Sequence, residues 1–209
     1  MLDVDTAITR AVHLGRQLAP ARRRLLIGLT GPPGSGKSTL GARLVRALDG
    51  AAVLVPMDGF HLTQCELNRL GRHDRKGAPD TFDADGYIAL LRRLLANTDP
   101  VVYAPAFDRR LEEPVAAAIA VPATVPIVVT EGNYLLLDQP PWPALRELLT
   151  EIWYCDTDEE LRQERLLARH RDFGRSAREA RAWVSRVDDP NAALIARTRS
   201  AANYAVAIP

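Results

Sequence analysis

The stretch "LLIGLTGPPGSGKSTL", Leu25 to Leu40, limits what this chain can fold into more than any other. Leu25 to Leu29 is a short apolar run, the pattern of a strand buried on both faces. Gly31 to Ser38 fits G-x-x-x-x-G-K-[ST], and Lys37 to Leu48 reads as a helix. Strand, glycine loop and helix in that order predict a phosphate loop. Its glycines let backbone N–H groups turn inward around an anion, and the helix amino terminus adds partial positive charge. Gly31, Pro32, Pro33, Gly34, Ser35, Gly36, Lys37, Ser38 and Thr39 are the expected nucleotide-binding residues. Lys37 would reach the β- and γ-phosphates, and Ser38 would ligate Mg²⁺.

Further buried strands are expected at Ala51–Pro56, Ile127–Thr130, Glu151–Cys155 and Tyr204–Ile208. Helices are expected at 83–95, 141–149, 158–170 and 178–187. A first helix is capped by Asp5 or Thr6, buries Ile8, Val12 and Leu18, and stops at Pro20, with Asn191 capping a short helix late in the chain. Arg22, Arg23 and Arg24 read as a solvated helix end. The 59–82 segment reads as a long polar loop, 101–107 as a short strand or extended loop, and 115–121 is ambiguous. Alternating strands and helices predict a three-layer α/β/α sandwich of the P-loop NTPase type, α/β in class. Its central sheet is five-stranded and mostly parallel, with a helical lid. Residues 1–24 form an N-terminal helical extension and 25–209 the main domain, with the lid at about 162–186.

Ligands on such sheets gather at the carboxyl ends of the strands. Asp58 and Glu131 end two of the predicted strands there. Phosphoryl transfer to a metabolite needs a hydroxyl in line with the γ-phosphate and a carboxylate to take its proton, and Asp58 is the best candidate. No Asn-Lys-x-Asp segment reads guanine, and no Leu-Ser-Gly-Gly signature marks a transporter ATPase. That leaves a small phosphotransferase or a nucleotide-binding regulator.

Four more stretches follow in fixed order: "PMDGFH" (56–61), "GRHDRKGAPDTFD" (71–83), "VVYAPAFDRRLEEPV" (101–115) and "VVTEGNYLLL" (128–137). Together with the loop they resemble the uridine kinase, phosphoribulokinase and bacterial pantothenate kinase family of P-loop kinases. The match is closest to its branch of fructose-transport-associated sugar kinases and nucleoside kinase-like proteins. The resemblance runs from about Leu25 to Ala207. It implies an ATP- and Mg²⁺-dependent kinase whose acceptor is a small hydroxyl compound, a sugar such as fructose first, a nucleoside or pantothenate as alternatives. It implies Asp58 as catalytic base. His61, Arg72, Lys76 and Asp80, then Tyr103, Phe107, Asp108 and Arg109, would surround the acceptor. Glu131 would touch the acceptor or orient Mg²⁺-bound water.

Between Arg162 and Arg186 stand eight arginines and three acidic residues. Arg162, Arg165 and Arg169 share a helix face. "RLLARHRDFGRS" resembles the lid of these kinases, and Arg165, Arg169 and Arg171 are the expected nucleotide-binding arginines, Arg169 among the catalytic groups. The 209-residue chain has net charge +1, so neither nucleic acid nor a membrane surface is expected as a partner. Two solitary cysteines and the lack of a signal-like start suggest a cytoplasmic protein; a homodimer is compatible with the chain.

Overall fold

The structure, a computed structural model, describes residues 1–18 and 24–209. The Leu18 side chain, Pro20, Arg22 and Arg23 lie outside the described residues. In chain order the strands are β1 (Leu25–Thr30), β2 (Ala52–Pro56), β3 (Val101–Asp108), β4 (Glu113–Pro122), β5 (Ile127–Glu131), β6 (Glu151–Asp156) and β7 (Tyr204–Ala207). The helices are α1 (Val4–Leu18), α2 (Lys37–Ala47), α3 (Gln64–Arg69), α4 (Ala84–Ala96), α5 (Leu145–Leu148), α6 (Glu159–Asp172), α7 (Ala177–Trp183) and α8 (Asp189–Ala196).

Five strands form one sheet in the order β2–β5–β1–β6–β7, and every pairing in it is parallel. Strand alternation sorts the core into two layers. Leu25, Ile27 and Leu29 pack with α1 and α2, while Leu26 packs with α4 and α5 on the opposite face. The ambiguous segments are β3 and β4, an antiparallel hairpin outside the main sheet with a register shift between Ala104 and Ala106. The 59–82 segment is structured too, holding α3 and two 3₁₀ turns.

Several helix ends differ from the sequence expectation. Asp3, not Asp5 or Thr6, accepts the Thr6 N–H at the start of α1, and Val4, Ala7 and Ala11 take the fully buried positions while Ile8 and Val12 are half-buried. Asp158, expected as the first residue of a helix, instead caps α6, its side chain accepting from the Glu160 and Leu161 amides. Asn191 lies inside α8, buried, and not at its cap. The expected 178–187 helix begins earlier, after a capping box of Ser176 and Glu179, and continues past Trp183 as a π-turn, Val184–Asp188. Arg24 is no solvated end: it is buried, and its guanidinium donates to the carbonyls of Leu94, Pro122 and Val125.

Candidate active site

Register gathers the chemistry at one edge. Glu131 of β5 pairs with both Leu29 of β1 and Pro56 of β2, so three strand ends stand level. The phosphate loop leaves β1 two residues later at Gly31, and Asp58 lies two residues beyond Pro56. Asp58 sits in a 3₁₀ turn, Met57–Phe60, whose Met57 is buried. A Cβ on Gly59 would stand 2.5 Å from the Pro105 carbonyl oxygen, so glycine lets the hairpin backbone lie directly on this turn. Between hairpin, sheet edge and the α6–α7 arm lies a cavity of about 380 Å³.

At one end is the phosphate loop. Gly34 and Gly36 have φ of +84° and +82°, the left-handed region that glycine adopts without strain. Gly36 precedes α2 and supplies no side-chain cap, leaving the helix amides facing outward. Lys37 Nζ donates to the carbonyls of Gly31 at 2.8 Å and Pro32 at 3.0 Å. Burial lowers the Lys37 pKa against the pull of Glu131. Two polar groups beside the loop are buried without a partner, Ser35 Oγ and Arg165 Nη1. Uncapped amides, a buried ammonium and orphaned donors fit the phosphates of a nucleotide.

Ser38 Oγ donates to Glu131 Oε1 at 2.9 Å. A hydroxyl and one carboxylate suit Mg²⁺ shared with phosphates, which seldom needs an all-protein cage. Among the described residues no three His, Cys, Asp or Glu side chains converge on a metal site.

Asp58 lines the same cavity. Its Oδ2 accepts from Arg109 Nη2 at 2.6 Å. Burial pushes its pKa up, but His61, Arg109, Lys37 and Arg169 outweigh that and hold the carboxyl below the usual range. Glu131 moves the opposite way, raised by burial and then by Asp58. The two carboxyls therefore divide their roles: Asp58 stays ionised, and Glu131 holds its proton more readily. The His61 ring lies 4.0 Å from Phe82 and 4.8 Å from Phe107. Burial lowers its pKa despite Asp58, favouring the neutral imidazole.

The predicted residues separate into two groups. Pro33, Lys37, Ser38, Asp58, His61, Lys76, Phe107, Arg109, Glu131 and Arg169 share the cavity wall. Arg72 and Asp80 do not; they pair at 3.3 Å, and Arg75 joins Asp80 at 2.7 Å, bracing the 71–83 segment. Tyr103 is 58% exposed on the hairpin, Asp108 caps the hairpin turn through the Arg110 and Leu111 amides, and Arg171 is exposed outside the wall. The lid arginines diverge although they share a face. Arg162 is buried, pairs with Glu159 and Asp189 and donates to the Pro33 carbonyl. Arg165 reaches the Pro209 carbonyl at 2.5 Å, beside Gly36. Of the three, Arg169 alone enters the cavity, where burial and Arg109 lower its pKa.

Sequence reading missed Arg175, Trp183, Asp188 and Asn191, which also line the wall. Arg175 stacks 3.9 Å over the Trp183 ring, and Asp188 meets His170 Nε2 at 2.8 Å. A clue was available in the lone tryptophan and the asparagine set among the arginine-rich helices.

A family model described as an AAA domain matches residues 26–189. A Schizosaccharomyces pombe protein named "Putative uridine kinase" is 38% identical, over 88% of this chain and 80% of its own. The chain belongs to the uridine kinase-like family of P-loop kinases. A crystal structure from Silicibacter sp. TM1040, named as a "putative fructose transport system kinase", superposes with a TM-score of 0.82 at 35% identity, covering 95% of this chain and 98% of that one. The Saccharomyces cerevisiae protein YFH7, named as "a putative P-loop containing kinase with a circular permutation", shares the fold at TM-score 0.81 and 20% identity, covering 99% of each chain. The parallel sheet and flanking helices of this P-loop kinase family are those described above.

Proposed function

We propose that the protein transfers the γ-phosphate of ATP to a hydroxyl of a small metabolite, with sugars the first class to test. The relatives' names favour either a sugar or a nucleoside. One observation carries the reading: the Asp58 carboxyl, paired with Arg109, shares a cavity with the phosphate-loop lysine at the level of Glu131. A regulator that only sensed nucleotide would have no use for that carboxylate.

In this reading the acceptor hydroxyl hydrogen-bonds Asp58, its oxygen forms a bond to the γ-phosphorus, and the bond to the bridging β–γ oxygen breaks. The proton passes to Asp58 and ADP leaves. Lys37 and Arg169 face the phosphate oxygens and balance charge as it develops. Ser38 and Glu131 would hold Mg²⁺, which would neutralise phosphate charge. Arg165, beside Gly36, would hold the nucleotide at the far end of the loop.

Asp58→Asn tests this. Acceptor phosphorylation should fall by about 10² to 10⁴ while ATP affinity holds, because the amide keeps the shape and loses the base. An equal loss of ATP binding would place Asp58 at the nucleotide instead.

A further inference from the structure

The wall carries more cations than the phosphates of a nucleotide require. Lys37 and Arg169 belong to the phosphate end. Lys76 and Arg175 do not. Lys76 Nζ donates to the Glu112 backbone carbonyl at 2.5 Å and stands 5.1 Å over the Phe107 ring. Arg175 stacks on Trp183, and its contact with His170 Nδ1 is long, 3.5 Å. Among the described residues neither cation has a carboxylate within 4.0 Å, and burial lowers the pKa of both.

The nearby acids are already engaged. Asp58 holds Arg109, Asp188 holds His170, and Glu131 accepts from Ser38. Glu113 accepts from the Gln64 amide at the start of α3. Glu112 is exposed at the hairpin tip; it acts on Lys76 and Arg175 through space without pairing with either. A partly desolvated cation without a counter-ion costs free energy, and a ligand anion would remove that cost. The faces of Phe107 and Trp183 hold both cations in place ahead of binding.

We infer that Lys76 and Arg175 form an anion subsite, so the acceptor is a hydroxyl compound that also carries a carboxylate or phosphate group. This rests on the kinase reading of the same cavity. Sugar acids or sugar phosphates would then be better acceptors than neutral sugars such as fructose.

Matched pairs separate the possibilities: fructose with fructose 6-phosphate, and glucitol with gluconate. Each is assayed for ATP-dependent turnover, and for binding by calorimetry with a non-hydrolysable ATP analogue present. One anionic member should bind at least about tenfold more tightly than its neutral parent, and which pair shows it tells phosphate from carboxylate. Lys76→Met and Arg175→Gln should each weaken that compound about 10- to 100-fold, the usual loss for a hydrogen bond to a charged group, with ATP affinity unchanged. Lys76→Arg should restore part of the loss.

If no anionic member binds more tightly than its parent, or if both variants bind it as the wild type does, the subsite is overturned. If anions bind but no compound is phosphorylated, the kinase reading falls and the subsite stands.

Discussion

Arg109 bonds Asp58 at 2.6 Å, so the residue proposed as general base starts in an ion pair. That lowers its proton affinity, which would be a poor choice if catalysis depended on deprotonating the alcohol early. Phosphoryl transfer passes through a loose transition state that asks little of the nucleophile until late. Asp58 can then orient the hydroxyl first and take the proton as it is released. Its pKa is depressed in the folded protein, so its ionisation adds stability above the unfolded carboxyl pKa, and that stability is lost as pH falls through the folded value. The acid limb of kcat/KM should therefore lie below the ordinary aspartate range. Arg109→Gln removes one of the cations holding it there, and the limb should move to higher pH. A pH–rate profile checks this; an unmoved limb would mean that another group limits the reaction in acid.

At the level of elements, the hairpin decides whether the acceptor end of the cavity exists. It sets Phe107, Arg109 and Glu112 into the wall, and it touches the Asp58 turn where Pro105 meets Gly59. Gly59→Ala forces a methyl group against that carbonyl and should cost about 1–3 kcal/mol by overpacking. It should also raise KM for the acceptor while leaving ATP affinity intact. Urea unfolding and steady-state kinetics read the two effects separately; an acceptor KM that stays at the wild-type value would show that the hairpin does not shape the acceptor site. The central strands were legible in the sequence because burial on both faces leaves unbroken apolar runs at 25–29 and 127–129. The hairpin was harder to see. Its strands are rich in alanine and interrupted by Pro105 and Pro114, with β3 mostly half-buried and half of β4 exposed, so neither alternation nor a continuous run survives. The lid was half legible. Helical spacing put Arg162, Arg165 and Arg169 on one face, but seven residues of helix span about 10 Å, and each arginine meets a different neighbour along that length. Trp183, Asp188 and Asn191 enter the wall only because α6, α7 and the π-turn fold back over the sheet edge, a tertiary fact with no local periodicity.

Across the whole molecule, two apolar layers clasp the sheet while its carboxyl edge collects charge that folding alone does not need. Lys37 shows this most clearly. Its ammonium is buried against two carbonyls, and its lowered pKa means that its ionisation works against the folded state. A protein selected only for stability would do as well with an apolar residue there; a phosphate ligand changes that balance. Stability and ligand binding should therefore respond very unequally to Lys37→Met. Without ligand, the variant should lose less than about 1 kcal/mol, since removal of a buried charge offsets two hydrogen bonds. With ligand, the wild type should gain about 2.7 kcal/mol at a hundred times the Kd of Mg²⁺-ADP, or about 5–10 °C in Tm for a chain of this size. The variant should show almost none of that rise at the same concentration. Thermal unfolding with and without Mg²⁺-ADP measures both quantities in one experiment. An undiminished rise in the variant would mean that the nucleotide is gripped by main-chain amides alone, and that Lys37 is held back for the transition state.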